Sequence, residues 1–248
     1  MIVASYGGGT NSKAMLITMK NKGINPDLII FADTGGERPH TYKEIETIDQ
    51  WLEKVGFPKL TIVRTVNVTL EEMFINNKCL PAVAYGGFKT CSQRFKIEPV
   101  DKFLNNWEPA KQAWSEGRKI TKAIGFDADE PQRAKEYKSE KYTNWFPLLD
   151  WDMGRDECIE TIESEGLSLP NKSSCFFCPN MRPSEIRELK SKYPELADRA
   201  LAMEQNAELT NIKGLGRNWS WGDLLSNEEL FDFPDFEKPM PCGCYDGD

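Results

Sequence analysis

The sequence predicts an α/β protein with a doubly wound, mostly parallel sheet and a helical C-terminal lobe that carries cysteines. In the first half of the chain, short apolar runs alternate with helical patterns, which is typical of parallel sheets whose strands are joined by helices. In the second half the patterns are helical, and the end of the chain is rich in Pro, Phe and Asp without periodicity. We therefore expect an α/β domain over residues 1–150, and a helical lobe with a cysteine-bearing tail over residues 151–248.

The individual elements follow from these patterns in chain order. Apolar runs predict strands at residues 2–6, 27–33, 60–66 and 122–126. Helices are expected at residues 12–22, 40–55, 108–120, 155–166 and 184–209, the last interrupted by Pro194. Ligands of parallel sheets bind beyond the carboxyl ends of the strands, so the segments that follow the strands are the candidates for a functional site.

The composition and charge of the chain disfavour some classes of function. The chain has 248 residues, of which 40% are apolar and 28% charged, as in ordinary globular proteins. The longest apolar run, residues 28–32, is far too short to span a bilayer, and the start of the chain lacks signal-peptide features. We therefore expect a cytoplasmic protein with no membrane partner. A net charge of −8 disfavours a generic nucleic-acid binder, although the basic pair Arg94 and Lys96 leaves nucleic acid open as a partner.

Three glycines lie between the first predicted strand and the first predicted helix. Glycines in such a turn let backbone N–H groups approach a phosphate, and the helix N-terminus adds partial positive charge. The segment is neither a Walker A loop nor a Rossmann fingerprint, because the Gly-Lys-Ser/Thr sequence and the Rossmann glycine spacing are both missing. A plain tight turn between strand and helix is the alternative interpretation.

The glycine turn resembles the PP-loop of N-type ATP pyrophosphatases, whose pattern is Ser-Gly-Gly-x-Asp-Ser. Gly8, Gly9 and Ser12 fall on matching positions, whereas Gly7 replaces the leading serine and Asn11 replaces the aspartate. The resemblance implies that the turn binds the phosphates of ATP or a related adenosine nucleotide. The residues expected to bind this ligand are Tyr6, Gly7, Gly8, Gly9, Thr10, Asn11 and Ser12. Because Asn11 has no carboxylate, this position cannot bind magnesium as an aspartate would.

The second predicted strand ends in Asp33-Thr34-Gly35. This segment resembles the Asp-Thr-Gly motif of phosphoadenosine-phosphosulfate (PAPS) reductases, and the resemblance implies that all three residues contact the nucleotide and that Asp33 is catalytic. A capped entry into the next helix is the alternative interpretation. His40, the single histidine of the chain, is expected to be a capping or surface residue rather than a general base.

The segment after the fourth predicted strand resembles the Gly-x-Arg-Ala-Asp-Glu-Ser-x-x-Arg-Ala block of the same family. Gly125, Glu130 and Arg133 align with it, which implies that Gly125 and Arg133 contact the nucleotide. Asp127 stands where the family has an arginine. With Asp129 and Glu130 it forms a carboxylate group of the kind that Mg²⁺ prefers, and a solvated acidic loop is the alternative interpretation.

Seven cysteines in a reducing compartment point to metal or redox chemistry rather than to disulfides. Cys175 and Cys178 have the Cys-x₂-Cys spacing of metal ligands. Cys91 begins a segment that resembles the Cys-x-x-x-x-Lys-x-x-Pro block of PAPS reductase-like proteins, whose cluster-bearing members hold a [4Fe–4S] cluster. We expect Cys91, Cys175, Cys178 and Cys244 as ligands of such a cluster, with Cys242 as the alternative fourth ligand and zinc as the alternative metal. The isolated Cys79 and Cys158 are expected to be buried.

Taken together, the resemblance covers most of the chain and implies an adenine nucleotide α-hydrolase-like (HUP-type) fold. The expected function is adenylylation of a substrate for sulfur transfer to a nucleic acid or nucleotide, with a sulfur-donor protein as a further partner. Arg94 and Lys96 are expected to bind a substrate anion, and Cys242 is a candidate nucleophile. Two alternatives remain open, namely a PAPS or APS reductase and a non-enzymatic adenine-nucleotide-binding protein.

Overall fold

The structure is a computed structural model that describes residues 1–81, 90–135 and 138–227. One five-stranded sheet is formed by β1 Ile2–Ser5, β2 Leu28–Asp33, β3 Leu60–Arg64, β4 Ile120–Ala123 and β5 Tyr142–Trp145. The strand order is β3-β2-β1-β4-β5, and every neighbouring pair is parallel. The predicted α/β class with a doubly wound parallel sheet is confirmed.

Helices flank the sheet and form the second half of the described chain. In chain order they are α1 Thr10–Asn21, α2 Pro39–Val55, α3 Leu70–Asn76, α4 Thr90–Ser92, α5 Glu98–Asn106, α6 Glu108–Ser115, α7 Pro147–Asp150, α8 Arg155–Ser164, α9 Pro183–Lys192, α10 Pro194–Asn206 and α11 Trp221–Ser226. A π-helical turn, Gln93–Ile97, joins α4 to α5. Within the described ranges, no helix is both long and apolar enough to cross a membrane.

The strand β5 and the helix expected at residues 108–120 differ from the sequence-based expectation, each for a local reason. The sequence does not predict β5, because this edge strand reads Tyr-Thr-Asn-Trp, is only partly buried and has no continuous apolar run. The helix expected at residues 108–120 ends at Ser115, since Gly117 adopts a left-handed φ of +72° and turns the chain towards β4. The interruption expected at Pro194 is confirmed, because α9 ends at Lys192 and Pro194 begins α10.

Three apolar clusters pack these layers together. The helices α1, α2 and α8 cover one face of the sheet, with Ile162 of α8 in their shared cluster, and α5 and α6 cover the other face around Leu104. A third cluster joins α3 and the π-helical turn to α9, α10 and α11, and buries Phe95 and Trp221 completely. Packing therefore crosses the boundary expected at residue 150, and the division into two domains stays a prediction.

Candidate functional site

The strand order places a crevice at the carboxyl ends of β1 and β4. Successive strands extend from β1 in one direction through β2 and β3, and in the other through β4 and β5, so the order reverses between β1 and β4. The glycine turn follows β1, and Gly125 follows β4. A Cβ atom at Gly125 would lie 3.1 Å from the carbonyl carbon and oxygen of Asn11, so the two segments touch through their backbones. Parallel sheets bind their ligands at this kind of position.

The glycine turn is closed by the Ser12 hydroxyl. Ser12 Oγ accepts a hydrogen bond from the Gly7 N–H at 3.1 Å and donates one to the Gly9 carbonyl at 3.1 Å. Gly8 has a φ of +78°, and a Cβ atom there would lie 3.0 Å from Thr41 Cγ2. No side chain caps the N-terminus of α1, and its first turn contains no acidic residue. The turn therefore leads into a helix N-terminus that no side chain caps, and such an N-terminus favours an anion.

Asn11 is held between two charged side chains that are distant in sequence. Its Nδ2 donates to Asp127 Oδ2 at 2.8 Å, and its Oδ1 accepts from Arg155 Nη1 at 3.0 Å. Asp127 is only 4% exposed, and its second oxygen, Oδ1, is buried without a hydrogen-bond partner in the described part of the chain. Burial raises the pKa of Asp127, while the Asn11 hydrogen bond opposes this rise. The carboxylate that the turn lacks is thus supplied by the segment after β4.

A buried ion pair supports the turn from behind. Lys13 is completely buried, and its Nζ contacts Glu44 Oε1 at 2.8 Å and the Ser168 carbonyl at 2.9 Å. The hydroxyl of Tyr6 donates to the same Glu44 oxygen at 3.0 Å. Lys13 therefore positions the turn and is directed away from a phosphate in the crevice. The sequence analysis missed Lys13, Glu44 and Arg155, since their partners lie between 31 and 155 residues away along the chain.

Asp33 is fixed by three donors at the end of β2. It accepts from the Gly35 N–H at 2.8 Å, from the Tyr42 hydroxyl at 2.9 Å and from Arg64 at 2.7 Å, and is 2% exposed. Burial raises the pKa of Tyr42, and the neighbouring Asp33 carboxylate adds to that rise. Gly35 has a φ of +74°, and a Cβ atom there would lie 2.7 Å from Thr69 Cγ2. The predicted catalytic role of Asp33 is untested, and the contacts assign it a positioning role in this loop.

Thr34 brings the end of β2 against Cys175. Its hydroxyl donates to Glu37 Oε1 at 3.1 Å and lies 3.3 Å from Cys175 Sγ. Cys175 in turn contacts the same Glu37 oxygen at 3.8 Å, and an isolated β-bridge pairs the two residues. Burial raises the pKa of Glu37 and raises that of Cys175 well above its ordinary value. The Cys175 thiol thus lies against the buried carboxyl group of Glu37.

The predicted metal ligands are only partly brought together. Cys91, Cys175 and Cys178 all pack against the third apolar cluster, but no group of three or more Cys, His, Asp or Glu side chains among the described residues is arranged to hold one metal ion. Cys242 and Cys244 lie outside the described residues. The cluster stays a prediction that depends on the terminal cysteines.

The two isolated cysteines have opposite environments. Cys158 is completely buried on α8, as expected, and burial raises its pKa to about 12. Cys79 was expected to be buried, and this prediction is wrong, because its side chain is exposed. It follows Lys78, whose φ of +48° turns the chain out of α3, and the next residue, Leu80, enters the apolar cluster in its place.

The two cations of the π-helical turn, Arg94 and Lys96, lie in different surroundings. Lys96 lines a cavity of about 20 Å³ at the ends of β1 and β2, and its charge opposes the rise in the pKa of Glu37. Arg94 is exposed, and its Nη1 lies 3.5 Å from Met73 Sδ on α3. A π-helical turn is a common device for directing side chains at functional sites. Both residues were predicted to bind an anion. Lys96 lies at the carboxyl ends of β1 and β2, whereas Arg94 lies beside α3.

The three carboxylates after β4 have different partners. Arg133 pairs with Glu130 at 2.6 Å, and its guanidinium lies 4.6 Å from the centre of the Phe126 ring. Asp129 Oδ2 accepts from the Arg155 N–H at 2.8 Å. Of the three carboxylates, Asp127 is the one that contacts the glycine turn. Gly125 contacts the turn, and the predicted nucleotide contacts of Gly125 and Arg133 stay predictions.

Comparisons with known proteins agree with this arrangement. Residues 1–160 match the phosphoadenosine phosphosulfate reductase domain family. An uncharacterized protein from Methanocaldococcus jannaschii is 24% identical over 238 residues, which cover 89% of this chain and 45% of that protein, so the chain spans about half the length of this relative. Among solved structures, the chain is similar to U34-tRNA thiolase NcsA from Methanococcus maripaludis with its [4Fe–4S] cluster, at 17% identity and a TM-score of 0.45, over 97% of this chain and 83% of that one. A TM-score of this size does not establish a common fold. The fold class of this chain therefore rests on its sheet topology.

Proposed function

Since the chain belongs to the phosphoadenosine phosphosulfate reductase domain family, we propose that it binds ATP or a related adenosine nucleotide between β1 and β4 and acts at the α-phosphate. An acceptor oxygen would form a bond to the α-phosphorus while the bond to the bridging oxygen breaks, so that pyrophosphate leaves. A sulfur nucleophile would then displace AMP from the adenylylated acceptor. The proposed acceptor is a nucleic acid or nucleotide, with a sulfur-donor protein as partner.

The observation that carries this proposal is the meeting of the glycine turn with Asp127 where the strand order reverses. The turn offers backbone N–H groups and a helix N-terminus to phosphate oxygens. The Ser12 hydroxyl fixes the shape of the turn through two hydrogen bonds. Lys96, at the ends of β1 and β2, is the cation that we propose for stabilising negative charge on the reacting phosphate. Catalytic roles for Asp33, Arg94 and Cys242 remain predictions.

The buried Oδ1 of Asp127 is the observation that fits a magnesium ion. A buried carboxylate oxygen without a partner is costly, and the cost falls when a cation binds beside it. We propose that Asp127 holds Mg²⁺ against the phosphates of the nucleotide. Bound there, the ion would neutralise charge on the leaving pyrophosphate. Asn11 orients Asp127 through its amide hydrogen bond and, in this proposal, is not itself a metal ligand.

A binding protein without catalysis is the second candidate, and Asn11 is the observation that favours it. Both polar atoms of this amide already contact Asp127 and Arg155, so the turn itself supplies no free carboxylate. The two candidate functions differ in the products that they predict. An adenylylating enzyme forms AMP and pyrophosphate from Mg·ATP, whereas a binding protein takes up ATP and returns it unchanged.

The test uses the full chain purified anaerobically and incubated with Mg·ATP, sodium sulfide as the sulfur nucleophile and either bulk RNA or bulk DNA, with products separated by anion-exchange chromatography. AMP and pyrophosphate in equal amounts support the proposal. ADP and phosphate contradict it, and unchanged ATP despite saturable binding supports the binding protein. A parallel incubation with PAPS and a dithiol tests the reductase alternative, which predicts sulfite.

Metal analysis of the same preparation tests the predicted cofactor separately. About four irons and four sulfides per chain would establish the [4Fe–4S] reading, and about one zinc would establish the alternative. No step of the proposed adenylylation runs through a metal–thiolate centre, so either result leaves the nucleotide site intact.

A further inference from the structure

A second polar pocket lies on the far side of the segment that lines the glycine turn. It has a volume of about 220 Å³ and lies between the N-terminus of α2 and helix α9. Two adjacent serines separate it from the turn. A Cβ atom at Gly8 would lie 3.8 Å from Ser173 Cβ, while Ser174 Oγ accepts a hydrogen bond from Arg38 in the pocket wall. The pocket is therefore a neighbour of the nucleotide site and is not part of it.

Arg38 gives the pocket a buried positive charge, which adds to the effect of Lys192 in lowering the pKa of Glu188 in the same wall. It is 5% exposed, its Nη2 donates to Ser174 Oγ at 2.7 Å, and its buried Nε has no hydrogen-bond partner in the described chain. No ion pair joins Arg38 to an acidic side chain of the described residues. A buried guanidinium that forms no direct ion pair is destabilising, so its place in the wall of a polar pocket favours the binding of an anion there.

The N-terminus of α2 adds to the positive electrostatic potential of the pocket. Arg38 is the N-cap residue of this 17-residue helix, no side chain caps the helix, and its first turn contains no acidic residue. Helix N-termini attract anions and are destabilised by cations, so a cationic N-cap is unfavourable unless an anion lies between the cation and the helix. Burial lowers the pKa of His40 in this turn, and Arg38 adds to that effect, so the imidazole is neutral at pH 7.

The remaining charges of the pocket leave an excess of cations. Lys172, Arg182 and Lys192 lie in its wall with Arg38, against the two carboxylates Glu185 and Glu188. Both carboxylates are occupied. Glu185 pairs with Lys172 at 3.2 Å and caps α9 through the Arg182 N–H at 2.7 Å, and Glu188 pairs with Lys192 at 2.6 Å. On a chain with a net charge of −8, such a cationic pocket is a local exception.

We propose that this pocket binds a tetrahedral oxyanion, a phosphate or sulfate group, through Arg38, the N-terminus of α2 and the pocket lysines. An arginine fork and a helix N-terminus both match the oxygens of such a group, and the mostly polar wall is unsuited to an aromatic base. Two sources have this chemistry: the free inorganic ion, and a phosphate or sulfate group on the ligand held at the glycine turn. The pocket chemistry is the same for both, and the experiment separates them.

The experiment is titration calorimetry of the full chain with inorganic phosphate, in a chloride buffer of low ionic strength. Because the glycine turn also binds phosphate in our proposal, the informative quantity is the component that depends on Arg38. We expect Arg38→Gln to weaken this component at least about tenfold, which corresponds to roughly 1.4 kcal/mol. Phosphate should also raise the melting temperature of the wild type more than that of Arg38→Gln.

Two lysines of α9 provide a matched pair of variants. Lys192 lines the pocket and pairs with Glu188, whereas Lys190 lies outside it and pairs with Asp198. Lys192→Gln should weaken phosphate binding about threefold, as expected for a partly exposed charge, and Lys190→Gln should leave it unchanged. This pair keeps the test decisive if Arg38→Gln fails to fold. Equal affinities in wild type, Lys192→Gln and Lys190→Gln would overturn the proposal, as would an unchanged affinity in folded Arg38→Gln.

Repeating the titration with saturating ATP identifies the source of the oxyanion. An Arg38-dependent phosphate site that persists beside ATP indicates a free ion, whereas its loss indicates that a group of the nucleotide reaches the pocket. Both outcomes support the oxyanion site. Failure to bind ATP, with Arg38-dependent phosphate binding intact, would refute the proposed function and leave this inference standing.

Discussion

Replacing Asp127 by asparagine tests the assignment of the magnesium site, because it removes a charge and almost nothing else. The asparagine has the same shape, and its Oδ1 can still accept the hydrogen bond that Asn11 Nδ2 now donates to Asp127 at 2.8 Å. Burial has already raised the pKa of Asp127, so its charge is costly in the unliganded fold. We therefore expect the free energy of unfolding to change by less than about 1 kcal/mol.

The effect on nucleotide binding should depend on magnesium. With Mg²⁺ present, the variant loses one charge-assisted contact to the ion, worth roughly 1.5–3 kcal/mol, so ATP affinity should fall about 10- to 150-fold. With Mg²⁺ chelated, the carboxylate only repels the phosphates, so Asp127→Asn should bind ATP at least as tightly as the wild type. Titration calorimetry with and without chelator measures both affinities.

Asp129→Asn is the matched control for this experiment. Asp129 lies two residues along the same segment, but its carboxylate accepts from the Arg155 N–H and does not contact the glycine turn. We expect its ATP affinity to match that of the wild type in both buffers. An Asp127→Asn variant that loses the same affinity with and without Mg²⁺, or that behaves like Asp129→Asn, would refute the assignment of Asp127 as the magnesium ligand.

The remaining predictions concern the turn, its support and the thiols. Gly8→Ala and Gly56→Ala share a φ of +78° and should each lose about 1–2 kcal/mol of unfolding free energy in urea titrations. Only Gly8→Ala, whose Cβ also meets a neighbouring side chain, should weaken ATP binding; equal binding by both variants would argue against the turn. Lys13→Met should lower the free energy of unfolding by roughly 3–5 kcal/mol, because the buried Glu44 carboxylate is left without a counter-ion, and a loss below about 1 kcal/mol would contradict that account. Alkylation at pH 7.5, read by mass spectrometry, should modify exposed Cys79 well before buried Cys158, whose pKa of about 12 leaves almost no thiolate; comparable rates would contradict the burial.

The parts of the site that the sequence predicted are local in the chain. The glycine turn between a strand and a helix is determined by adjacent residues, and its closure by Ser12 spans only five positions. The apolar runs of the inner strands are also local, since a strand buried on both faces needs a continuous apolar stretch. These features required no knowledge of the tertiary structure, and they led to the fold class and to the position of the crevice.

The parts that the sequence did not predict arise from contacts between distant residues. Asn11 and Asp127 are 116 positions apart, so neither residue alone indicates that one offsets the other. The cationic pocket likewise joins Arg38 to residues beyond position 170, and its excess charge is not visible in a chain whose net charge is negative. The edge strand β5 has no apolar run, because an edge position demands little burial.

Hydrogen exchange of the full chain with and without Mg·ATP tests the central claim most directly, since it locates bound nucleotide without any knowledge of the acceptor. The account predicts that nucleotide slows exchange in peptides covering residues 6–13 and 125–127, the two segments that meet between β1 and β4. Exchange in α6, on the opposite face of the sheet from α1, should be unchanged. Saturable ATP binding without protection of the glycine turn would contradict the account.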